Sequence, residues 1–408
     1  MILLNKMKFT NTVIEEIVQA HYELTVKAKS LDGYDELNFI LTESVDKKYI
    51  LKIAGEQHDK DFIDAQIKII AHLRNSPIAD QLQYYINNKK GEALTIIEEE
   101  GKIYYCRILN YLDGQFWVDV PHDHSSLHEN LGKFLAKMDA SLKDFKHPSM
   151  HRHYTWDIST ARDAYQKLKH IQSHEGRRLV DYFLLQFETV VLPTLSSFRH
   201  SYIHNDANDY NVLVKDDEIV GLIDFGDMVY SATINNLAVA CTYAMLGSSD
   251  PLAVAKSVVK GYHSSLPLEE KELSILYYLI AARLCISLTQ SAYNASLSTD
   301  NAHHFITEKP AWQLIYQLIE INPIKAEDAF RKVCNYSGII HLNDSYQKIE
   351  EKRHQHIGKN LSISYQTHLK IDKGALQYLY DDKGNTYIDC VNNVSHIGHC
   401  HPSLVRVM

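Results

Sequence analysis

The sequence predicts an α+β chain of two unequal lobes, a small antiparallel-sheet lobe over residues 1–112 and a larger, mainly helical lobe over residues 113–325. Three observations predict it. Before residue 112, short apolar segments are separated by turn chemistry. From His128 onward, apolar residues recur at helical spacing over long stretches. Two polar segments rich in Asn and Asp, His204 to Asn211 and Asp224 to Asp227, then interrupt the helical part beside short apolar strands, as residues collected in a cleft between lobes would. At 408 residues and 45% apolar content, the chain can bury a sizeable core in each of two or three domains.

In chain order, residues 24–30, 37–41 and 48–53 read as strands of a twisted antiparallel sheet, joined by the turns Leu31-Asp32-Gly33-Tyr34-Asp35 and Val45-Asp46-Lys47. Gly33 frees the first turn to bring backbone amides to an anion, although an ordinary hairpin turn reads equally well there. Lys52, set among aliphatic neighbours on the third strand, suits a nucleotide's phosphates, or else an exposed edge strand. A helix over 61–74 aligns Gln66, Ile69, Ile70 and Leu73 on one face, with Asp64 one step off it; the position expected to hold the acid that pairs Lys52 carries Gln66, and the choice between Asp64 and Gln66 as its partner stays open. Strands over 93–98 and 102–109 lead to Asn110-Tyr111-Leu112-Asp113-Gly114, a connector whose backbone around Tyr111 could hydrogen-bond a purine edge. Helices follow over 127–142, 160–171, 177–192, 234–246, 251–261, 273–292 and 311–320, broken by strands over 212–215 and 219–223.

His204-Asn205-Asp206-Ala207-Asn208-Asp209-Tyr210-Asn211, followed twelve residues later by Ile223-Asp224-Phe225-Gly226-Asp227, has the spacing that phosphoryl transfer uses. That chemistry needs a base at the acceptor hydroxyl and oxygen ligands for magnesium. Asp206 can accept the hydroxyl proton, Asn211 can offer a neutral carbonyl to one ion, and Asp224 can hold the ions that neutralise phosphate charge. His204 braces the loop by hydrogen bonding rather than acting as the base. An acceptor bearing a carboxylate and amines requires buried opposite charges. Arg283 on an apolar helix is the candidate clamp for the carboxylate and Asp227 the candidate partner for an ammonium, and either could instead belong to a structural ion pair. Arg152, Trp156 and Asp157 form a further substrate-binding cluster.

The net charge of −9 arises from mixed acids and bases with no basic run that could track a nucleic-acid backbone, so nucleic acid is not an expected partner. Six cysteines without paired spacing, and an opening Met1-Ile2-Leu3-Leu4 too short for a signal-peptide core, lead to the expectation of a reduced, cytoplasmic setting. The apolar stretch 273–288 carries Arg283 near its middle and is expected to be a core helix rather than a membrane span.

Through Lys52, His204, Asp206, Asn211 and Asp224 the chain resembles the aminoglycoside phosphotransferase-like branch of the kinase superfamily, which implies a bilobal protein-kinase-like fold. Tyr34-Asp35-Glu36-Leu37-Asn38-Phe39, Asn208-Asp209-Tyr210-Asn211, the run from Leu222 to Tyr230, Arg283-Leu284-Cys285 and Lys309-Pro310-Ala311-Trp312 are similar to the hydroxylysine kinases over about residues 10–325. The resemblance implies transfer of the γ-phosphoryl group of GTP or ATP, with Mg2+, to the hydroxyl of 5-hydroxylysine. Homoserine, choline, methylthioribose or an aminoglycoside are alternative acceptors of the same fold, and a non-catalytic nucleotide-binding scaffold is the alternative of another class. After a linker over 326–352, residues 353–408, notably Tyr378 to Gly384, Tyr387-Ile388-Asp389-Cys390 and Asn393 to Pro402, resemble the start of class III pyridoxal-phosphate aminotransferases and their phospho-lyase members. The stretch ends well before the cofactor core and Schiff-base lysine of that family, so no pyridoxal phosphate is expected on this chain and the tail is expected to be a separate, dispensable fold. His399-Cys400-His401, with His396 nearby, fits no zinc spacing.

Overall fold

Alternation of apolar residues builds the first lobe. In the structure, a computed structural model that describes residues 9–33, 36–120, 125–297, 308–340, 346–358, 360–361, 369–391 and 397–408, α1 (Asn11–Tyr22) is capped by the Thr10 hydroxyl and precedes β1 (Lys27–Leu31), β2 (Leu37–Ser44) and β3 (Lys47–Gly55). Leu37, Phe39 and Leu41 of β2 sit opposite Ile53, Leu51 and Tyr49 of β3, and this buried face receives Ile14, Val18 and Tyr22 of α1. After α2 (Lys60–Leu73), capped by Asp59, come β4 (Tyr85–Ile86), β5 (Thr95–Glu99) and β6 (Lys102–Asn110). The sheet is antiparallel throughout in the order β1-β2-β3-β6-β4, with β5 also on β6. β3 is therefore an interior strand and not an edge, which removes the solubility reading of Lys52. Asn38, Lys52 and Arg107 occupy one cross-strand register on β2, β3 and β6, so they form a polar row on the face that α1 leaves open. Tyr34 and Asp35 of the preceding turn lie outside the described residues.

The second lobe opens with β7 (Gln115–Phe116) and α3 (Ser125–Leu142). The predicted helix over 160–171 is instead a run of tight 3-10 turns, Ile158–His170, capped by Asp157 and kinked at Thr160. The one predicted over 177–192 is α4 (His174–Gln186), continuing through a wider π turn, Phe187–Val191, into α5 (Leu192–Leu195). Pro193 lacks an amide and its ring would meet a carbonyl one turn back, so the helix widens just before it. Strands β8 (His200–Ile203), β9 (Val212–Lys215), β10 (Glu218–Leu222) and β11 (Val229–Ala232) pair as β8 with β11 and as β10-β9-β7. Then come α6 (Ile234–Ala244), α7 (Pro251–Ser265), α8 (Glu270–Leu297), α9 (Glu308–Glu320) and α10 (Pro323–Val333). Helices α3 and α7 approach so closely that a Cβ on Gly132 would stand 2.0 Å from the Val258 carbonyl oxygen and one on Gly261 1.9 Å from that of Glu129. α8 is long and apolar enough to cross a membrane, but 89% of its apolar window is buried inside the protein, as a core helix would be.

The last part of the chain departs from expectation. Residues 326–352 are not simply a linker, because α10 buries Ala326 and Phe330 in the lobe's core. Beyond α11 (Gln347–His356), the meander β12 (Ile371–Ala375), β13 (Tyr378–Asp381) and β14 (Thr386–Ile388) and the short α12 (Pro402–Val405) pack on the helical lobe instead of standing apart. Ala375, Leu376 and Tyr380 belong to the same buried cluster as α8 and α9. The Tyr380 hydroxyl donates to the Ile319 carbonyl, the buried Asn322 amide donates to the carbonyls of Asp381 (2.8 Å) and Asn385 (2.9 Å), and Arg406 pairs with Asp181. Aromatic burial and satisfied polar groups thus dock the tail on the helical lobe.

Candidate active site

The open face of the sheet supplies one wall of the cleft. Lys52 Nζ lies 2.9 Å from Asp224 Oδ1, across the cleft, and 3.8 Å from Glu36 Oε2. Burial alone would lower the Lys52 pKa, but Asp224 and Glu36 outweigh it and hold the ammonium above its ordinary value. Glu36 is itself bonded by Arg107, a guanidinium only 1% exposed, whose other arm reaches Gln66 Oε1 at 2.7 Å. Neither residue expected to pair with Lys52 does so. Gln66 is taken by Arg107, and Asp64 turns outward to Lys68 (2.5 Å) and His147 (3.6 Å). One turn of α2 decides this: Gln66 faces inward, whereas Asp64 is on the solvent side.

The opposite wall is two loops at the same end of the β8–β11 strands. The Ile223 amide donates to the Asn211 carbonyl at 2.9 Å and ties them together. Asn205 (φ 66°) and Asp224 (φ 63°) adopt the left-handed conformation that non-glycine residues rarely take, and strain of this kind concentrates at functional sites. Asn205 is held there by its amide bond to Asn236 Oδ1 at 3.1 Å, and Asn236 is anchored in turn to the buried Asp139 at 2.7 Å. His204 is fully buried. Its Nε2–H donates to the Ile223 carbonyl at 3.1 Å and its Nδ1 accepts the Asp206 amide at 3.3 Å; burial pushes its pKa down to about 4, so it stays neutral and braces the loop.

Three donors fix the Asp206 carboxylate: Asn208 Nδ2 at 2.9 Å, Asn211 Nδ2 at 2.7 Å and Arg283 Nη2 at 3.0 Å. A carboxylate has about four acceptor sites, so roughly one remains for an incoming hydroxyl. Burial, reinforced by the charge of Asp227, raises the Asp206 pKa to about 7 against the pull of Arg283. Asp224 moves the other way, held down by Lys52, and is half exposed to the cleft. With the Asn211 amide hydrogens directed at Asp206, its carbonyl oxygen is the end left to ligate. Asp224 in the cavity, and the Asn211 side-chain carbonyl oxygen on the loop tied to it through the Ile223 amide, are hard-oxygen donors of the kind Mg2+ takes, one or two of them with phosphate oxygens and water filling the other positions.

Arg283, 1% exposed, donates to the Trp156 carbonyl (2.6 Å), to Asp206 and to the Tyr243 hydroxyl (3.3 Å). This guanidinium positions Asp206, which is the structural ion pair rather than the carboxylate clamp. Arg152, sandwiched between the rings of Phe62 (3.9 Å) and Tyr154 (4.0 Å), donates to the carbonyls of Gly226 and Met228, and its buried Nε has no acceptor among the described residues. Asp227 accepts a short hydrogen bond from the Tyr154 hydroxyl. Asp157 does not reach the site. It is buried beneath Trp156, capping the following turns through Ser159 and accepting from Ser231 at 2.8 Å.

Lys52, Gln66, Arg152, Trp156, Asp206, Asp224, Asp227 and Arg283 line one cavity of about 810 Å3. His204 and Asn211 stand behind its wall. Gly33 and Tyr111 are exposed and outside it. At Gly33 a Cβ would stand 2.3 Å from the Glu36 carbonyl oxygen, so the close approach there requires glycine. Sequence reasoning missed Glu36, Arg107, Tyr154 and Tyr243. Period-2 register with Lys52 could have found Arg107; the others had no local signal. His399-Cys400-His401 is not gathered as a metal site, since His399 bonds Asp389 at 2.7 Å and His401 caps α12. His396 lies outside the described residues.

Comparison with known proteins agrees with this geometry. The model of the phosphotransferase enzyme family matches residues 28–273, more than half of the chain. Hydroxylysine kinase of Bos taurus is 28% identical over 351 residues, covering 80% of this chain and 93% of that protein. Among solved structures, an amicoumacin kinase in complex with AMP-PNP, Ca2+ and Ami superposes with a TM-score of 0.58 at 15% identity, over 78% of this chain and 96% of that one. A microcompartment-associated aminopropanol kinase does so with a TM-score of 0.53 at 14% identity, over 79% and 98%. These likenesses establish the bilobal kinase-like fold. Short matches also occur: alanine–glyoxylate aminotransferase 2-like of Drosophila melanogaster is 51% identical over 55 residues, 13% of this chain and 11% of that protein, and ethanolamine-phosphate phospho-lyase homolog 1 of Caenorhabditis elegans is 38% identical over 65 residues, 16% and 14%.

Proposed function

The chain belongs to the phosphotransferase enzyme family and acts on an alcohol group, and from that premise we propose that it transfers the γ-phosphoryl group of GTP or ATP to the side-chain hydroxyl of a hydroxylated amino acid, 5-hydroxylysine. The observation that carries this reading is the Asp206 carboxylate, clamped by Asn208, Asn211 and Arg283 and opening into the same cavity as the Lys52–Asp224 pair. A base and a phosphate-binding cation on facing walls are the parts that in-line transfer needs.

Asp206 receives the acceptor hydroxyl's proton, and its pKa near neutrality suits that task. Arg283 holds the carboxylate in place, and Asn211 fixes both its side chain and its backbone. Lys52 meets the phosphates, oriented by Glu36, which Arg107 holds from behind while its other arm donates to Gln66. Asp224 and Asn211 would hold Mg2+, which when bound neutralises charge on the phosphates. Tyr154, Trp156 and Tyr243 line the cavity together with Asp206 and give the acceptor aromatic walls. The similarity to hydroxylysine kinases over nearly their whole length supports the acceptor assignment, and the tail's likeness to a phospho-lyase supports a following step that removes the phosphate from the product. A cytoplasmic setting, with its reduced thiols and nucleotide supply, suits both steps.

Incubation with Mg2+, GTP or ATP and a panel of 5-hydroxylysine, homoserine, choline and kanamycin, followed by mass spectrometry, tests the reading. A higher kcat/KM for 5-hydroxylysine than for the other three is expected. Preference for one of the others would move the acceptor, and phosphorylation of none would leave a nucleotide-binding scaffold.

A further inference from the structure

The two cations nearest Asp227 are already engaged. Arg283 is bonded to Asp206, the Trp156 carbonyl and Tyr243; Arg152 is bonded to the carbonyls of Gly226 and Met228 and stacked between two rings. Among the described residues Asp227 has no ion pair within 4 Å, and its hydrogen-bond donor is the neutral Tyr154 hydroxyl. Its carboxylate nevertheless lines the cavity beside Asp206. A half-buried carboxylate without a counter-ion, beside a second carboxylate in the same cavity, is costly. Its backbone is also pinned toward the catalytic loop, since Asn205 Nδ2 donates to the Asp227 carbonyl at 3.3 Å. The two acids therefore meet the ligand as a fixed pair.

We propose that Asp227 is the specificity-determining residue for the acceptor, selecting alcohols that carry an ammonium on the carbon next to the reacting hydroxyl, with the hydroxyl at Asp206 and the ammonium at Asp227. This rests on the alcohol-kinase reading of the site and narrows its substrate class to 1,2-amino alcohols. Proximity of the carboxylates favours a hydroxyl and an ammonium on neighbouring carbons over a distant amine. The side chain is expected to act on acceptor affinity rather than on the nucleotide, because the phosphate-binding Lys52 pairs with Asp224 and not with Asp227.

The test compares wild type with Asp227→Asn on two matched pairs: 5-hydroxylysine against 5-hydroxynorleucine, which lacks the adjacent amine, and 1-amino-2-propanol against 2-butanol. Wild type is expected to favour each amine-bearing member by at least fiftyfold in kcat/KM. Measured on the alkaline plateau of the pH profile, Asp227→Asn is expected to raise KM for the amine-bearing members by a similar factor, to change kcat/KM of the deaminated members less than threefold, and to leave Mg-nucleotide affinity unchanged by calorimetry. Equal losses on both members of a pair, or weakened Mg-nucleotide binding, would overturn the assignment in favour of a structural or metal-ligating Asp227. Activity on 1-amino-2-propanol without activity on 5-hydroxylysine would sink the hydroxylysine reading while sustaining this one, and indifference to the amine in wild type would sink the amino-alcohol inference alone.

Discussion

The two ends of the cleft are built on opposite electrostatic plans. At the phosphate end each acid has a cation: Asp224 and Glu36 face Lys52, and Glu36 is also bonded by Arg107. Asp224 is accordingly held in its charged form. At the acceptor end two acids, Asp206 and Asp227, share less positive charge than they need, and burial raises both. The difference separates the roles, since a ligand for a cation must stay ionised whereas a base works best near the ambient pH.

The largest expected effect is at the acceptor end. Asp206→Asn keeps the shape and removes the base, so kcat with 5-hydroxylysine should fall by about two to four decades. Retention of more than a third of wild-type kcat would take Asp206 out of the chemistry. Next in size, Arg107→Met strips the buried cation from Glu36 and Gln66, and losing one partner of a buried pair costs about 3–5 kcal/mol of stability. Denaturant unfolding should show it, with a raised nucleotide KM as Lys52 loses its orientation; unchanged stability would mean that Glu36 is satisfied without Arg107.

A change remote from both ends sharpens the contrast. Tyr380→Ala removes a ring only 1% exposed between the tail and α9, and aromatic truncations of this kind cost about 3 kcal/mol. The melting temperature should drop while kcat of the folded enzyme holds. An unaltered melting temperature would return the tail to the dispensable status that its sequence suggested.

The smallest effect is the pH profile. Protonated Asp206 cannot act as a base, so acceptor kcat/KM should climb with pH through about 7, tenfold per unit on the acid side, and then level off. In Asp227→Asn the repulsion is gone, the Asp206 pKa falls, and the limb should shift to lower pH on an acceptor without an amine. A shift in the other direction would reverse the sign of the coupling between the two acids.

Much of this was legible in the sequence, and what was not has a physical reason. Local patterns carried the strands through Lys52, the helix through Gln66, the loop of Asp206 and Asn211, and the segment of Asp224, because each is a short motif within one element. The partners of those residues come from elsewhere in the chain. Glu36 reaches Lys52, and Arg107 reaches both Glu36 and Gln66, only after three strands align. Arg283 and Asp206 are 77 positions apart and meet through the packing of α8, so a clamp and a positioning residue read the same in one dimension. Asp157, next to Trp156, points to Ser231 and Asn235 instead of the cavity because alternate residues of a turn face opposite sides. The docking of the tail was not legible for a different reason: its motifs resemble those of another family, while its docking depends on Tyr380, Asn322 and Asp181, scattered over both parts.

Calorimetric titration of Mg-nucleotide into Asp206→Asn and Asp224→Ala, set beside their turnover rates, tests the division of the cleft most directly. Asp206→Asn should bind Mg-nucleotide as wild type does while its turnover is lost, and Asp224→Ala should lose both; equal Mg-nucleotide affinity in Asp224→Ala and wild type, or loss of it in Asp206→Asn, would contradict the assignment of the two ends.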